Sequence, residues 1–399
     1  MGLYKTITYR QIDKLLNLLG STLAKGAIDI TLPDGSTRRF EAEVPGPEAA
    51  IHITTPKFFS CLVTGGHLGF ADAYVAGYFQ TPNLVTLLEF GEANQDAWDD
   101  VLAGRPLPRL LSRLYHILKF NSKTGSRRNI SHHYDLGNNF YRRWLDESLT
   151  YSSAIFAQPD EPLETAQSNK YRRLSEMANV APGQHVLEIG CGWGGFASYL
   201  AREHDCKVTA VTISNEQYDF ARQRIQADGL NERVEILRRD YRDIDGTFDR
   251  VVSIEMLEAV GLRYWPVFFE KLRNSLRPGG IAALQVITIA DHAWEDYSKN
   301  TEFIQRHIFP GGMLPSPEII AEQSARAGLN YQNESGFGLH YAETLRRWRG
   351  SFDAAWPGIA SLGFDEHFRR LWTYYLAYCE AGFNVGRIDV KQFALERPL

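Results

Sequence analysis

The chain has 399 residues, 44% of them apolar, and a formal net charge of −5. That length exceeds one ordinary domain, so two are expected, and the apolar fraction supplies proper cores. No run approaches the ~18 consecutive apolar residues of a membrane span, and the acidic balance excludes bulk attraction to nucleic acid or anionic lipid. The four cysteines (Cys61, Cys191, Cys206 and Cys379) lie far apart without metal-ligand spacing, and the start carries no charged leader with an apolar core. A cytoplasmic protein with no bound metal is expected.

In chain order, residues 1–100 read as a small α+β domain. Thr8 to Lys25 has the apolar period of an amphipathic helix. Ala27 to Phe40 reads as a hairpin turning at Asp34-Gly35, and Ala50 to Thr54 as a further strand. The apolar stretch Leu62 to Tyr78 is a helix stopped near Gly77. From Val101 to Tyr134 there is no acidic residue, whereas Arg105, Arg109, Arg113, Lys119, Lys123, Arg127 and Arg128 are basic and leucines recur at helical spacing. Residues 101–130 are therefore a basic amphipathic linker. It reads equally as a membrane-surface element or as a helix packed by its leucines with solvated arginines.

Residues 131–399 carry the chemistry. The run His185-Val-Leu-Glu-Ile-Gly-Cys-Gly-Trp-Gly-Gly195 is a short apolar strand, then a glycine turn, then a helix from Phe196 to Glu203. Glycines there let the backbone approach a ligand beside a helix N-terminus. The spacing Glu188-x-Gly190-x-Gly192-x-Gly194 points to S-adenosylmethionine rather than a dinucleotide. Further strand runs follow at 208–213, 234–237, 248–254 and 280–288, the last after a turn at Leu276–Gly280, with a helix from Asn215 to Gln226. Their alternation with helices argues for a doubly wound parallel sheet whose ligand sits beyond the strand C-termini. An apolar insertion from Ala290 to Leu329 is placed to roof that site, and the aromatic stretch from Tyr341 to Tyr378 is helical. Tyr331 to Phe337 and Phe393 to Glu396 are the final strands.

The segments His133-Tyr-Asp-Leu-Gly-Asn138, Leu149-Thr-Tyr-Ser-Ser153, Glu188 to Gly195, Val211-Thr-Ile-Ser214 with Gln217, Asp240-Tyr-Arg-Asp243, Ile308-Phe-Pro-Gly-Gly-Met-Leu-Pro315 and Thr373-Tyr-Tyr375 together resemble the cyclopropane fatty acid synthase family, which includes the mycolic acid cyclopropane synthases. The likeness covers roughly residues 120–399 and, more weakly, the N-terminal domain. It implies a class I methyltransferase, Rossmann-like fold with a helical insertion over the active site. It also implies methyl transfer from S-adenosylmethionine to a cis double bond of a phospholipid acyl chain, after which a bound bicarbonate removes a proton and the cyclopropane ring closes. Cofactor residues carried over by position are Tyr134, Tyr151, Ser152, Gly190, Gly192, Gly194, Thr212, Ile213, Gln217 and Tyr241; the two tyrosines read alternatively as packed core.

Where the family's bacterial pattern has Cys, Glu, His, Ile and Tyr around bicarbonate, this chain has Ser153, Glu258, Gln285, Ile287 and Tyr341, with Ala259 where a histidine is common. Glu258 reads alternatively as a structural acid. The resemblance further implies a homodimer through the N-terminal domain. The basic leucine-periodic stretch carries the expectation of a peripheral position on the inner face of the membrane, and no nucleic-acid partner is expected because no reading motif accompanies the charge. Alternative outcomes are a methylene- or methyl-branched chain, methylation of a small molecule, or a lipid-binding protein without catalysis.

Overall fold

The computed structural model describes residues 9–102 and 136–399; the basic stretch and Tyr134 lie outside them. The N-terminal unit comprises α1 (Tyr9–Ser21), β1 (Ala27–Thr31), β2 (Thr37–Glu41), β3 (Glu48–Ile53), α2 (Lys57–Val75), β4 (Phe79–Gln80), α3 (Leu84–Ala93) and α4 (Gln95–Leu102). Its sheet runs β2-β1-β3-β4. The β1–β2 hairpin turns where expected, with Ser36 N and Oγ donating to Asp34 Oδ1. Helix α2 is interrupted at Gly66. Phe58, Phe59, Phe79 and Phe90 fill this unit's own core.

The second unit continues with α5 (Asn138–Tyr141), α6 (Leu163–Met177), β5 (His185–Ile189), α7 (Gly195–Glu203), β6 (Lys207–Thr212), α8 (Asn215–Ala227), β7 (Val234–Arg238), β8 (Phe248–Ile254), α9 (Leu257–Val260), α10 (Trp265–Ser275) and β9 (Leu276–Ile289). It closes with α11 (Trp294–Lys299), α12 (Phe303–His307), α13 (Pro317–Arg326), β10 (Asn330–Gly336), α14 (Gly338–Ala360), α15 (Glu366–Asn384) and β11 (Ile388–Glu396).

The seven-stranded order is β10-β11-β9-β8-β5-β6-β7, with apolar clusters packed on both faces. The sheet is mixed rather than wholly parallel, because β11 runs antiparallel to both β9 and β10. Three further expectations change. The turn at Leu276–Gly280 is a bulge inside β9, where the register to β8 shifts between Phe248 and Arg250. The aromatic helical stretch is two helices, α14 and α15, broken around Gly363 at φ 99°. The roof ends near Pro315, because α13 packs on α10 and β10 and buries Ile320 in the sheet's core.

The two units pack through α3 and α2 against α15. Arg370 donates to the Tyr74 and Phe79 carbonyls at 2.5 and 3.0 Å, closing the chain of the N-terminal unit against the aromatic helix. Arg387 pairs with Glu92 at 2.7 Å. No described helix is long and apolar enough to cross a membrane.

Candidate active site

Strand β5 ends in the glycine turn, and the backbone takes left-handed values at Gly190, Gly192 and Gly194, φ 85°, 52° and 82°. Side chains rarely adopt these values, which explains the glycines locally. A Cβ on Gly192 would meet nothing within 4 Å, so this position faces open space. A cavity of about 1750 Å³ begins here and is lined by Gly190, Gly192, Thr212, Ile213, Gln217 and Tyr241. The expected cofactor residues other than Gly194 and Tyr134 thus share one wall with Tyr151 and Ser152. Gly194 instead lies against α8, where a Cβ would sit 3.0 Å from Ala221 Cβ.

The polar groups suit a nucleoside with a charged tail. Thr212 donates to Gln217 Oε1 at 2.9 Å, so the Gln217 amide has its N–H groups to offer a ribose diol. The Tyr241 hydroxyl and Glu188 Oε2 are buried with no hydrogen-bond partner among the described residues. Burial raises the Glu188 carboxyl to about 8 against the pull of Lys170. An unpartnered acidic oxygen beside the glycine turn matches the ammonium of the cofactor's methionine. Asn138, the last residue of the His-Tyr-Asp-Leu-Gly-Asn motif, accepts from Trp193 Nε1 at 2.7 Å and donates to the Glu216 carbonyl at 3.3 Å, bracing the turn against α8.

Residues 151–153 split three ways. The Tyr151 hydroxyl meets that of Tyr375 at 2.8 Å, and its ring packs on Trp348 at 5.3 Å, so it serves packing and cavity wall together. Ser152 Oγ accepts from Lys170 Nζ at 2.6 Å, and its hydroxyl is committed to that buried cation. Ser153 is fully buried and donates its backbone N–H to Glu255 Oε1 at 2.9 Å.

The five residues expected around an anion gather, but Glu258 is not their centre. Ser153 N and Gln285 Nε2 donate to Glu255 Oε1 at 2.9 and 2.8 Å, and the Tyr341 hydroxyl donates to Glu255 Oε2 at 2.6 Å. Gln392 Nε2 donates to Gln285 Oε1 at 3.0 Å, which fixes the direction of the Gln285 amide. Glu258 instead accepts from the Ile287 backbone N–H at 2.5 Å, while its carbonyl receives Met313 N from the roof at 2.9 Å. Bicarbonate therefore does not fit the expected set. Three of its donors are occupied by a carboxylate of the chain itself, whose charge would repel a further anion. Ile287 contributes its backbone N–H to Glu258 and its side chain to the cavity wall.

Sequence reasoning missed Glu255 and Lys170. The first was visible as one of two acids in Glu255-Met-Leu-Glu258; the second as a lysine four residues from both Ala166 and Leu174, on the buried face of α6. Burial drives the Lys170 ammonium far below its usual range, against the pull of Glu255, Asp146 and Glu188.

Glu258 has a measurable consequence. Burial, and then the neighbouring Glu255, push its carboxyl up to about 8. The folded state then binds more protons than the unfolded one between pH ~4.5 and ~8, so this group's contribution to stability falls as pH rises through that window. Glu258→Gln, an amide that still accepts from Ile287 N, is expected to flatten this decline, read by urea unfolding at pH 5, 6.5 and 8. Parallel pH profiles for the two proteins would refute the assignment.

Residues 121–393 match the mycolic acid cyclopropane synthetase family. The chain is 42% identical over 351 residues, 83% of its length and 79% of the relative's, to tuberculostearic acid methyltransferase UfaA1 of Mycobacterium tuberculosis. It is 36% identical over 362 residues, 88% of each chain, to cyclopropane-fatty-acyl-phospholipid synthase of Escherichia coli. Among solved structures it resembles the cyclopropane synthase MmaA2 from Mycobacterium tuberculosis, with TM-score 0.64, 30% identity, and 68% of this chain and 98% of that one covered. Mycolic acid cyclopropane synthase CmaA1 complexed with SAH and CTAB aligns at TM-score 0.63 and 29% identity, with the same coverage. The glycine turn with its convergent polar wall and the family match together make this chain a member of the mycolic acid cyclopropane synthetase family and an S-adenosylmethionine-dependent methyltransferase.

Proposed function

We propose that the enzyme methylates the cis double bond of an unsaturated acyl chain carried by membrane phospholipid and converts it to a cyclopropane. The observation that carries this reading is the shape of the site. The glycine turn, the Glu255 cluster and apolar roof residues such as Ile304, Phe309, Met313 and Leu314 line one cavity. A small polar substrate needs no such apolar wall; an acyl chain does. S-adenosylmethionine, when bound, supplies an electrophilic methyl on a sulfonium.

The chain's residues do the rest. The glycine turn lets the cofactor approach the backbone, and the roof, pinned at the Glu258 carbonyl, keeps water from the electron-deficient chain carbon. The aromatic wall around Tyr151, Tyr341 and Tyr375 offers π faces to positive charge. Bicarbonate has no set of free donors here, because those expected for it are engaged by Glu255.

A second product is favoured by one specific observation, the 42% identity to a relative named for tuberculostearic acid. In that reading the same methyl transfer, with proton loss in place of ring closure, leaves a methylene-branched chain, which becomes a saturated methyl branch only where a separate hydride-donating reductant acts on it. Mass spectrometry of lipids from expressing cells separates the two: a cyclopropane and a methylene chain are each one CH₂ heavier than the substrate. Mild hydrogenation adds two hydrogens to the methylene but leaves the cyclopropane intact, and a chain already reduced to a methyl branch is two hydrogens heavier from the start. Lipids unchanged by expression would defeat both.

The proposal extends to a homodimer, to an N-terminal domain spanning residues 1–100, and to a peripheral position on the membrane's inner face through the basic residues Arg105 to Arg128. Exposed charges are screened within roughly 10 Å at 0.1 M salt, so flotation with phosphatidylglycerol vesicles is expected to weaken as salt rises. Equal binding to neutral and anionic vesicles at every salt level would count against this role. Light scattering checks the dimer.

A further inference from the structure

We propose that Glu255 is the catalytic base of the reaction, its own carboxylate taking the part that the family resemblance gives to a bound bicarbonate. The inference rests on the methyl transfer proposed above and names the group that completes it. A side-chain carboxylate and a bicarbonate both present two oxygens on a trigonal carbon, so donors arranged for one suit the other. Three donors from separate parts of the chain meet on Glu255: the Ser153 backbone N–H at 2.9 Å, the Gln285 amide at 2.8 Å and the Tyr341 hydroxyl at 2.6 Å. They leave accepting capacity on Oε2, which takes the Tyr341 hydroxyl alone of the three.

The backbone points the same way. Glu255 has φ 49°, in the left-handed region where glycine is unstrained and a glutamate is not. Strain of this kind persists where surrounding structure enforces it, and it clusters at working sites. The strand-end backbone turns here, and Glu255 lines the cavity it shares with Gly190 and Gly192. Burial raises the Glu255 carboxyl above its usual range and so makes it a stronger base than an exposed glutamate, while the Tyr341 hydroxyl and the buried Lys170 pull the other way, toward the ionised form.

The step balances. The alkene's π pair forms the new C–CH₃ bond as the C–S bond breaks, its pair staying on sulfur, and the neighbouring chain carbon is left electron-deficient. A C–H bond of the new methyl then breaks; its pair closes the ring to that carbon, and the proton passes to Glu255 Oε2. Glu255 returns the proton to solvent when product leaves. If a hydride moves between the two chain carbons first, the same C–H pair forms a methylene, and the proton still goes to Glu255.

The test uses purified full-length protein, S-adenosylmethionine and dioleoylphosphatidylglycerol vesicles, with product read by mass spectrometry. Wild-type turnover is expected to be the same in bicarbonate-free and bicarbonate-supplemented buffer. Glu255→Gln should lower turnover by roughly 10²- to 10⁴-fold, the span of a lost general base, with S-adenosylhomocysteine affinity by calorimetry within about threefold of wild type, as expected when only a transition-state contact is lost. Glu255→Gly relieves the backbone strain and opens a pocket ringed by the same three donors, so formate or bicarbonate should restore part of its turnover. Turnover of Glu255→Gln close to wild type, or a wild-type rate that collapses when bicarbonate is stripped, overturns the proposal while leaving methyl transfer standing. A wild type that methylates no lipid overturns both.

Discussion

Replacing Gly192 with valine is expected to abolish S-adenosylmethionine binding while the protein stays folded. At φ 52° a branched residue costs roughly 1–2 kcal/mol of backbone strain, and its Cβ would point where nothing lies within 4 Å. That space belongs to the cavity, so the side chain would stand where the cofactor must come close to the backbone. Calorimetry with S-adenosylhomocysteine should show at least about a 100-fold loss, near 2.7 kcal/mol. Urea unfolding should record a smaller change, because the strain is the only cost to the empty fold. Gly194 provides the contrast: a side chain there collides with Ala221 of α8 and should damage stability as well as binding. Retained affinity in Gly192→Val would remove the glycine turn from the cofactor site.

The second large effect is expected from Lys170→Met. The ammonium is fully buried and donates to Ser152 Oγ and Gln167 Oε1, both at 2.6 Å. Glu255, Asp146 and Glu188 all act on it electrostatically, so it is the shared counter-charge of an acidic interior. Removing one partner of a buried charge set costs about 3–5 kcal/mol, since the charges left behind have no compensation. The acids would then hold their protons more tightly in the folded state, and folding would bind more protons than before. The loss measured by denaturant unfolding should accordingly be larger at pH 7 than at pH 5. Turnover should fall too, because Glu255 would be less ionised. Unchanged stability at pH 7 would show that Lys170 does not compensate these acids.

Local patterns carried much of this architecture. The alternation of apolar strands with helices from His185 to Ile289 could be read because a side chain's face repeats with period two in a strand and about 3.6 in a helix. The glycine turn could be read because only glycine takes left-handed backbone values freely, and Gly190, Gly192 and Gly194 all do. The hairpin at Asp34-Gly35 followed from turn chemistry within a few residues.

The tertiary structure alone decided the direction of β11, which depends on where α14 and α15 deliver the chain rather than on the strand's own pattern. It alone decided which acid the site is built around. The motif Glu255-Met-Leu-Glu258 offers two carboxylates, and periodicity does not choose between them. The choice is made by a left-handed backbone at Glu255 and by donors 102, 30 and 86 residues away in sequence, at Ser153, Gln285 and Tyr341. Hydrogen bonds of that separation leave no local periodic trace, because their geometry is set by the packing of whole elements. Sequence thus determined the alternation of strands and helices from β5 to β9, the glycine turn and the presence of an acid at the end of β8, while the folded chain decided the direction of β11 and that Glu255 receives the three converging donors.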